Sequence, residues 1–353
     1  MERIKLKWLI AHWPQYLFVR TAKAFRDELE KRCPGEFDIE ILTMKDYIQK
    51  YNDVPELRMR PASDGGNLEK HWEIDQKFSQ PVAWSDIRQK WKAYFAALKD
   101  GRIDISQTQI TVIGLHLFKL FSALDLPFLF RDHDHVTKAL DGRIGKKLRN
   151  MIENQTEIKS LGFTYSGGYR IIGSNHDIEN ILDLKDTPLQ TVPTTTAMWN
   201  GFGSKAFQRR SLDIEQTKDF AKEKSAIETT YLRFNGSNIL KTNHSMFLTS
   251  ILTGSSLFEK LTPKQQKAFE ESAFAVSKIE RKWSLEDCEK YEREAKEKGI
   301  QIREITEDQH NTLVDNSYKA YETFYSTLHH NGEKTSEETY RKRKEIVEEI
   351  KKL

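Results

Sequence analysis

Arg131 and Arg170 each stand where an apolar stretch meets turn residues. A guanidinium placed there suits a carboxylate, because its planar fork makes two parallel hydrogen bonds. The alternative for either arginine is a salt bridge to a structural acid of the chain. Arg131 opens the cluster Arg131, Asp132, His133, Asp134 and His135, which follows the apolar run LDLPFLF. His133, Asp134 and His135 read either as metal ligands or as an acid-rich helix start. Histidines two apart converge only on a strand or loop, and no third ligand is indicated, so the helix start with Asp132 or Asp134 as cap is the better account. Thr194, Thr195 and Thr196 either donate to a ligand or cap a helix. GRIGKKL at 142–148 lacks the spacing of a phosphate loop, and neither GxSxG nor HExxH occurs. Serine, histidine and aspartate occur together by count only, so no catalytic residue and no cofactor is assigned.

Composition narrows the class. The 353 residues are enough for two domains. With 56 basic and 53 acidic residues, the net charge of +3 is too small and dispersed to argue for nucleic acid. Cys33 and Cys288 form no metal spacing, and the sequence leaves open whether they are bonded. No run approaches the roughly 20 apolar residues that cross a membrane. The start MERIKLKWLIAHW reads as a strand rather than a signal peptide. The chain is then either cytosolic or matured by removal of a leader.

The elements that must position these residues follow in order. Lys5 to Trp13, the helical pattern Phe18 to Lys31 and the alternating FDIEIL at 37–42 make a β-α-β opening. Residues 44–80 are polar and irregular, an insertion with little regular structure expected. Helical spacing returns at 84–99, and a strand at 103–105 ends near Gln109. Phe128 to Phe130 read as a buried strand that ends at Arg131. Residues 163–175 read as a strand bent at Gly167 and Gly168, 183–193 as a short strand, and 214–224 as a helix. Met246 to Leu252 is a strand candidate. Thr262, Pro263 and Gln265 form a capping box that starts a helix running toward Gly299, roughly 36 residues or ~54 Å long at about 1.5 Å per residue. Charge-rich helices at 310–329 and 337–353 close the chain.

Taken in order, LPFLFRDHDH, GYRIIGSN, DLKDTPLQTVP, KTNHSMFL and LTPKQQKAFEESA, together with ALKDGRIDI, resemble the DctP family of extracytoplasmic solute-binding proteins of TRAP transporters. The likeness runs from Trp8 to about Phe324. It implies an α/β, two-lobe, periplasmic-binding-protein-like fold with a long helix bridging the lobes. The expected lobes are 1–130 for the first, with 44–80 as its insertion, and 131–247 for the second. Residues 248–285 return to the first lobe, and 286–353 finish the long helix and pack on the second. The resemblance implies capture of a small polar organic ligand, an organic acid or related solute, in an interlobe cleft. It also implies delivery to the membrane subunits of a TRAP transporter, no catalysis, no cofactor or metal, no nucleic acid, a monomer, and a periplasmic location with its leader removed.

Positional matches carry ligand contacts to His12, Trp13, Gln109 and Arg131. The arginine that pairs a ligand carboxylate in the family falls here on Gln190 or Thr191, both neutral. A later asparagine contact falls near Leu232, with Tyr231 or Arg233 as replacements. A carboxylate would therefore need Arg131, Arg170 or Arg233, with Arg131 the leading anchor. Otherwise Gln109 and Gln190 or Thr191 hydrogen-bond a polar ligand, with Trp13 or Trp199 stacking on it. Trp199 is otherwise lobe core. Two other readings remain: a two-lobe α/β enzyme, and a binding protein that senses rather than transports.

Overall fold

The structure, a computed structural model of the 353-residue chain, describes residues 2–11, 15–59, 84–208, 221–225, 237–327 and 335–353. Its strands are β1 (Ile4–Ile10), β2 (Phe37–Thr43), β3 (Ile105–Gln109), β4 (Ile158–Ser174), β5 (Pro188–Gln190), β6 (Lys205–Phe207), β7 (Ala221–Ser225), β8 (Asn238–Lys241), β9 (Met246–Gly254) and β10 (Gln301–Glu304). The chain divides into two units. Unit 1 is Met1–Phe118, Lys147–Ser166 and Thr249–Leu285; unit 2 is Lys119–Lys146, Gly167–Leu248 and Glu286–Leu353.

Unit 1 begins with β1, the helix Gln15–Arg32 and β2, which lies parallel to β1 with Ile4 opposite Phe37 and Ile10 opposite Thr43. β3 joins the other side of β1 in parallel, and β9 runs antiparallel to β3 with Gln109 opposite Thr249. Leu17, Phe18, Ala22, Phe25 and Leu29 recur at helical spacing and are all buried. Phe25 meets Trp8 of β1 at 5.1 Å and Phe269 of the long helix at 5.4 Å. Such tilted and edge-on ring pairs stabilise by about 1 kcal/mol beyond the area they bury.

Unit 2 is built around the C-terminal half of β4. β7 and β8 both pair antiparallel with it, β10 lies parallel to β8, and β5 lies parallel to both β7 and β6. Gly167 and Gly168 both have positive φ, +91° and +68°. This is the expected bend, at the point where β4 passes from one unit to the other. The helices Glu307–Ser326 and Glu337–Lys351 belong to this unit. Arg343, 4% exposed, donates from Nη1 to the carbonyls of Phe324 (2.7 Å) and Thr327 (2.8 Å). It thereby satisfies the end of the first of these helices.

The long helix is continuous over Pro263–Glu297, 35 residues. Its capping box forms as expected: Thr262 N–H donates to Gln265 Oε1 (2.9 Å) and Gln265 N–H to Thr262 Oγ1 (3.3 Å). No helix among the described residues is long and apolar enough to cross a membrane.

Several sequence expectations are corrected. Phe128 to Phe130 are not a strand. Pro127 has no amide hydrogen to give a ladder, and Phe128 takes a left-handed φ of +53°, its N–H donated to His244 O (2.7 Å). Leu129 and Phe130 are buried in this loop all the same. The stretch read as irregular carries a helix at Met44–Lys50 and a 3-10 turn at Pro55–Met59, and 60–83 lie outside the described residues. Within the expected helix at 214–224, residues 221–224 belong to strand β7 and the rest lie outside the described residues. The units also divide differently. Residues 119–130 belong to unit 2, the chain changing unit between Phe118 and Lys119, and 147–166 belong to unit 1, the chain changing unit inside the helix Arg143–Thr156 and inside β4 rather than in loops.

Candidate functional site

The charged cluster at 131–135 is a helix start. Asp132 caps the helix His133–Asp141, its Oδ1 accepting from His135 N–H at 2.7 Å. The His135 ring is buried. Its Nδ1 accepts from Arg131 N–H (3.2 Å), and its Nε2 lies 2.8 Å from Ile350 O. The Arg131 side chain is exposed, with Nη1 at 3.4 Å from Lys351 O, and Lys138 Nζ donates to Leu353 O (2.7 Å). Arg131, His135 and Lys138 thus hold the carbonyl end of the C-terminal helix, where the charges of Arg131 and Lys138 are favoured by its dipole. Burial pushes the His133 imidazole below its ordinary pKa, against the pull of Asp132 and Asp134. Among the described residues no group of three His, Cys, Asp or Glu side chains is arranged for a metal. Cys33 and Cys288 are not joined in a disulfide, and Cys288 donates to Gly167 O (3.1 Å).

Arg170 sits in a different setting. It is 3% exposed, and its Nη2 lies 3.0 Å from Oδ1 of Asp125, itself 1% exposed. The guanidinium stacks 4.0 Å from the Phe247 ring centre. Asp125 Oδ2 accepts from Thr194 Oγ1 (2.9 Å). The next residue, Thr195, donates to a second buried carboxylate, Glu223 (2.6 Å). Glu223 Oε1 also accepts from Trp199 Nε1 (2.6 Å) and His244 Nε2 (2.9 Å), and Oε2 accepts from Val192 N–H (2.7 Å). Burial opposes the Glu223 charge. The charge and hydrogen bond of His244, the charge of Arg170 and the Thr195 bond outweigh it and hold the carboxyl below its usual range. His244 Nδ1 is bonded to Thr242 Oγ1 at 2.7 Å, so both ring nitrogens are used. Thr195 stands at the N-cap of the helix Thr196–Phe202 but makes no side-chain cap bond, so the hydroxyls of Thr194 and Thr195 serve the two acids instead. The run ties the segment 192–195 to two buried acids.

Trp199, fully buried against Phe202 and His244, takes the lobe-core arrangement. Thr191 is 7% exposed. Its N–H goes to Phe207 O (2.9 Å) and its hydroxyl is bonded to Thr196 Oγ1 (2.8 Å). Gln190 ends β5 half-buried, and Gln109 ends β3 half-buried in unit 1. His12, Trp13, Tyr231 and Arg233 lie outside the described residues.

Unit 1 holds a second polar cluster. Fully buried Gln107 donates from Nε2 to Thr164 Oγ1 (2.9 Å) and Thr249 Oγ1 (3.0 Å), with Glu280 Oε1 at 3.4 Å. The two threonine hydroxyls are bonded to each other, and Glu280 Oε2 accepts from Tyr165 N–H (2.8 Å). Burial pushes the Glu280 carboxyl up to about 8, against the bonds from Tyr165 and Gln107 and the charges of Arg281 and Arg20. Gln107 Oε1 is buried with no hydrogen-bond partner among the described residues. A surface cavity of about 370 Å³ in unit 1, lined by Lys159, Phe258 and Gln266 among others, touches none of these groups.

Pattern reading missed Asp125, Glu223, His244, Gln107 and Glu280. Asp125, Glu223, Gln107 and Glu280 each lie within a strand, a helix or an apolar run, His244 lies in the loop before β9, and the partners that bury them come mostly from elsewhere in the sequence. The one local sign was an acid inside the otherwise apolar LFSALDLPF.

The chain is thus a mixed α/β protein in two units, each with a buried polar cluster. Residues 89–207 and 226–328 match the model of DctP, bacterial extracellular solute-binding protein, family 7, and the chain belongs to this family. It is 25% identical over 290 residues to the 2,3-diketo-L-gulonate-binding periplasmic protein YiaO of Escherichia coli, covering 80% of this chain and 75% of that protein. Its fold is similar to a TRAP periplasmic solute-binding protein from Pseudomonas putida with bound D-glucuronate, with a TM-score of 0.71, 16% identity, and coverage of 99% and 97% of the two chains. It is also similar to one from Sulfitobacter with bound β-D-galacturonate, with a TM-score of 0.73, 14% identity, and coverage of 99% and 100%.

Proposed function

We propose that this chain captures a small polar organic solute, an organic acid or a related hydroxylated compound, and delivers it to the membrane subunits of a TRAP transporter. The observation that carries the reading is the family match across 89–207 and 226–328, on a fold shared with TRAP solute-binding proteins. The protein works in the periplasm, as a monomer, by binding without chemical turnover. The arrangement of His244 supports that last point: both its nitrogens are committed to Thr242 and Glu223, leaving none to activate a nucleophile. The proposed contacts are Gln190, Thr191 and Arg170 of unit 2 and Gln109 of unit 1, with His12, Trp13, Tyr231 and Arg233 as further candidates from the sequence.

Two measurements test this. A thermal-shift screen of organic acids, sugar acids, sugars, polyols and amines should find a solute that raises the melting temperature, because a ligand of the folded state alone must stabilise it. Uptake of that solute into cells carrying the membrane subunits should then require this protein. A solute that binds but is not taken up would favour sensing over transport.

A further inference from the structure

The polar cluster of unit 2 narrows the class of solute. The positive charge of Arg170 is matched inside the protein, by Asp125 at 3.0 Å and by the field of Glu223. Both acids are essentially unexposed, and both grip the same short segment, Asp125 through Thr194 and Glu223 through Val192 N–H and Thr195. A carboxylate accepting from Arg170 would bring its oxygens beside Asp125, and two carboxylates sharing one site resist being ionised together. A carboxylate is also acceptor-only, so it gives Asp125 nothing. A hydroxyl is both donor and acceptor, and can accept from Arg170 while donating to Asp125. One more group in the cluster awaits such a partner. Ser245, whose carbonyl accepts from Arg170 N–H at 2.7 Å, is 2% exposed, and its hydroxyl has no hydrogen-bond partner among the described residues. Leaving a buried hydroxyl unsatisfied costs about 1–3 kcal/mol. Gln190 and Thr194 are only half-buried, so the edge of the cluster at Thr194 reaches solvent.

We infer that this protein is a receptor for neutral polyhydroxylated solutes, sugars or polyols, whose hydroxyls meet Arg170, Asp125, Thr194 and Ser245, and that Asp125 is the residue that disfavours their carboxylate counterparts. The inference rests on the solute-capture reading above and specifies its ligand.

The test is calorimetric titration of the full chain with matched pairs: D-glucose and D-glucuronate, D-galactose and D-galacturonate, D-glucitol and D-gluconate. The wild-type protein should bind at least one neutral member about tenfold or more tighter than its acid, the scale of one charge-assisted hydrogen bond. Asp125→Asn should shrink that preference about tenfold by releasing the charge of Arg170. Should Asp125→Asn fail to fold, the wild-type ratio still decides, and Thr194→Val should weaken the neutral ligand about tenfold. An acid bound as tightly as its neutral partner overturns the inference, as does a preference that survives Asp125→Asn. So does a panel in which nothing binds. If a solute outside the panel then raises the melting temperature, solute capture stands and only the ligand class falls. If no small solute does, the capture reading falls with it.

Discussion

At the scale of single residues, the decisive groups are buried acids whose partners come from distant parts of the chain. Glu223 lies in AKEKS, which as a sequence looks like a solvated, charged stretch. In the fold it accepts four hydrogen bonds, one of them from His244. Removing one partner of such a pair strands the other in a poor dielectric. His244→Ala should therefore cost about 3–5 kcal/mol in urea unfolding, well above an exposed substitution. Glu280 gives a pH signature. Its folded carboxyl is raised to about 8 from an ordinary 4.5, so between those values the folded state holds more protons than the unfolded state. Its contribution to stability is full below about pH 4.5 and fades as pH rises through about 8. Melting curves from pH 5 to 9 should show this decline in the wild type and lose it in Glu280→Gln; an unchanged slope would mean the carboxyl is already ionised. Neither acid was legible beforehand, because periodicity reports apolar faces and says nothing of which polar side chain is turned inward.

At the scale of elements, signals that are local in sequence were legible. The Thr262 box, the bend at Gly167 and Gly168, and the helix start at Asp132 all formed where their residues sit, because caps and glycine turns need only a few neighbours. LPFLF was misread because its apolar run carries strand propensity. Pro127 and the left-handed Phe128 then spend the backbone on a loop whose hydrogen bond goes to His244. β7 went unseen for the opposite reason: five polar-leaning residues become a strand because β4 and β5 flank them. Arg131 changes role at this scale. It belongs with His135 to the anchorage of the C-terminal helix, so Arg131→Ala should leave ligand affinity within about twofold. His135→Ala should speed amide exchange across 346–351, where fraying of a helix end is ordinarily resisted by such caps. A large affinity loss in Arg131→Ala would return that arginine to the ligand.

At the scale of the molecule, the resemblance predicted an α/β solute-binding protein, and the family match and shared fold agree. The unit boundaries were legible in part: the passage expected at 285–286 in the long helix coincides with the observed division, whereas those near 146, inside the helix Arg143–Thr156, and near 166, inside β4, come without a break in regular structure and were not expected. In β4 the passage carries only the Gly167–Gly168 bend, which reads in the sequence as a kink within a strand rather than as a boundary. The central claim is capture of a small solute, and the most direct test is titration of the purified chain followed in parallel by its melting temperature. One solute molecule per chain should bind, with stability rising by about 2.7 kcal/mol at a concentration 100 times Kd. A chain that neither binds nor is stabilised by any organic acid, sugar acid, sugar or polyol, or that converts one of them to product, would contradict the account.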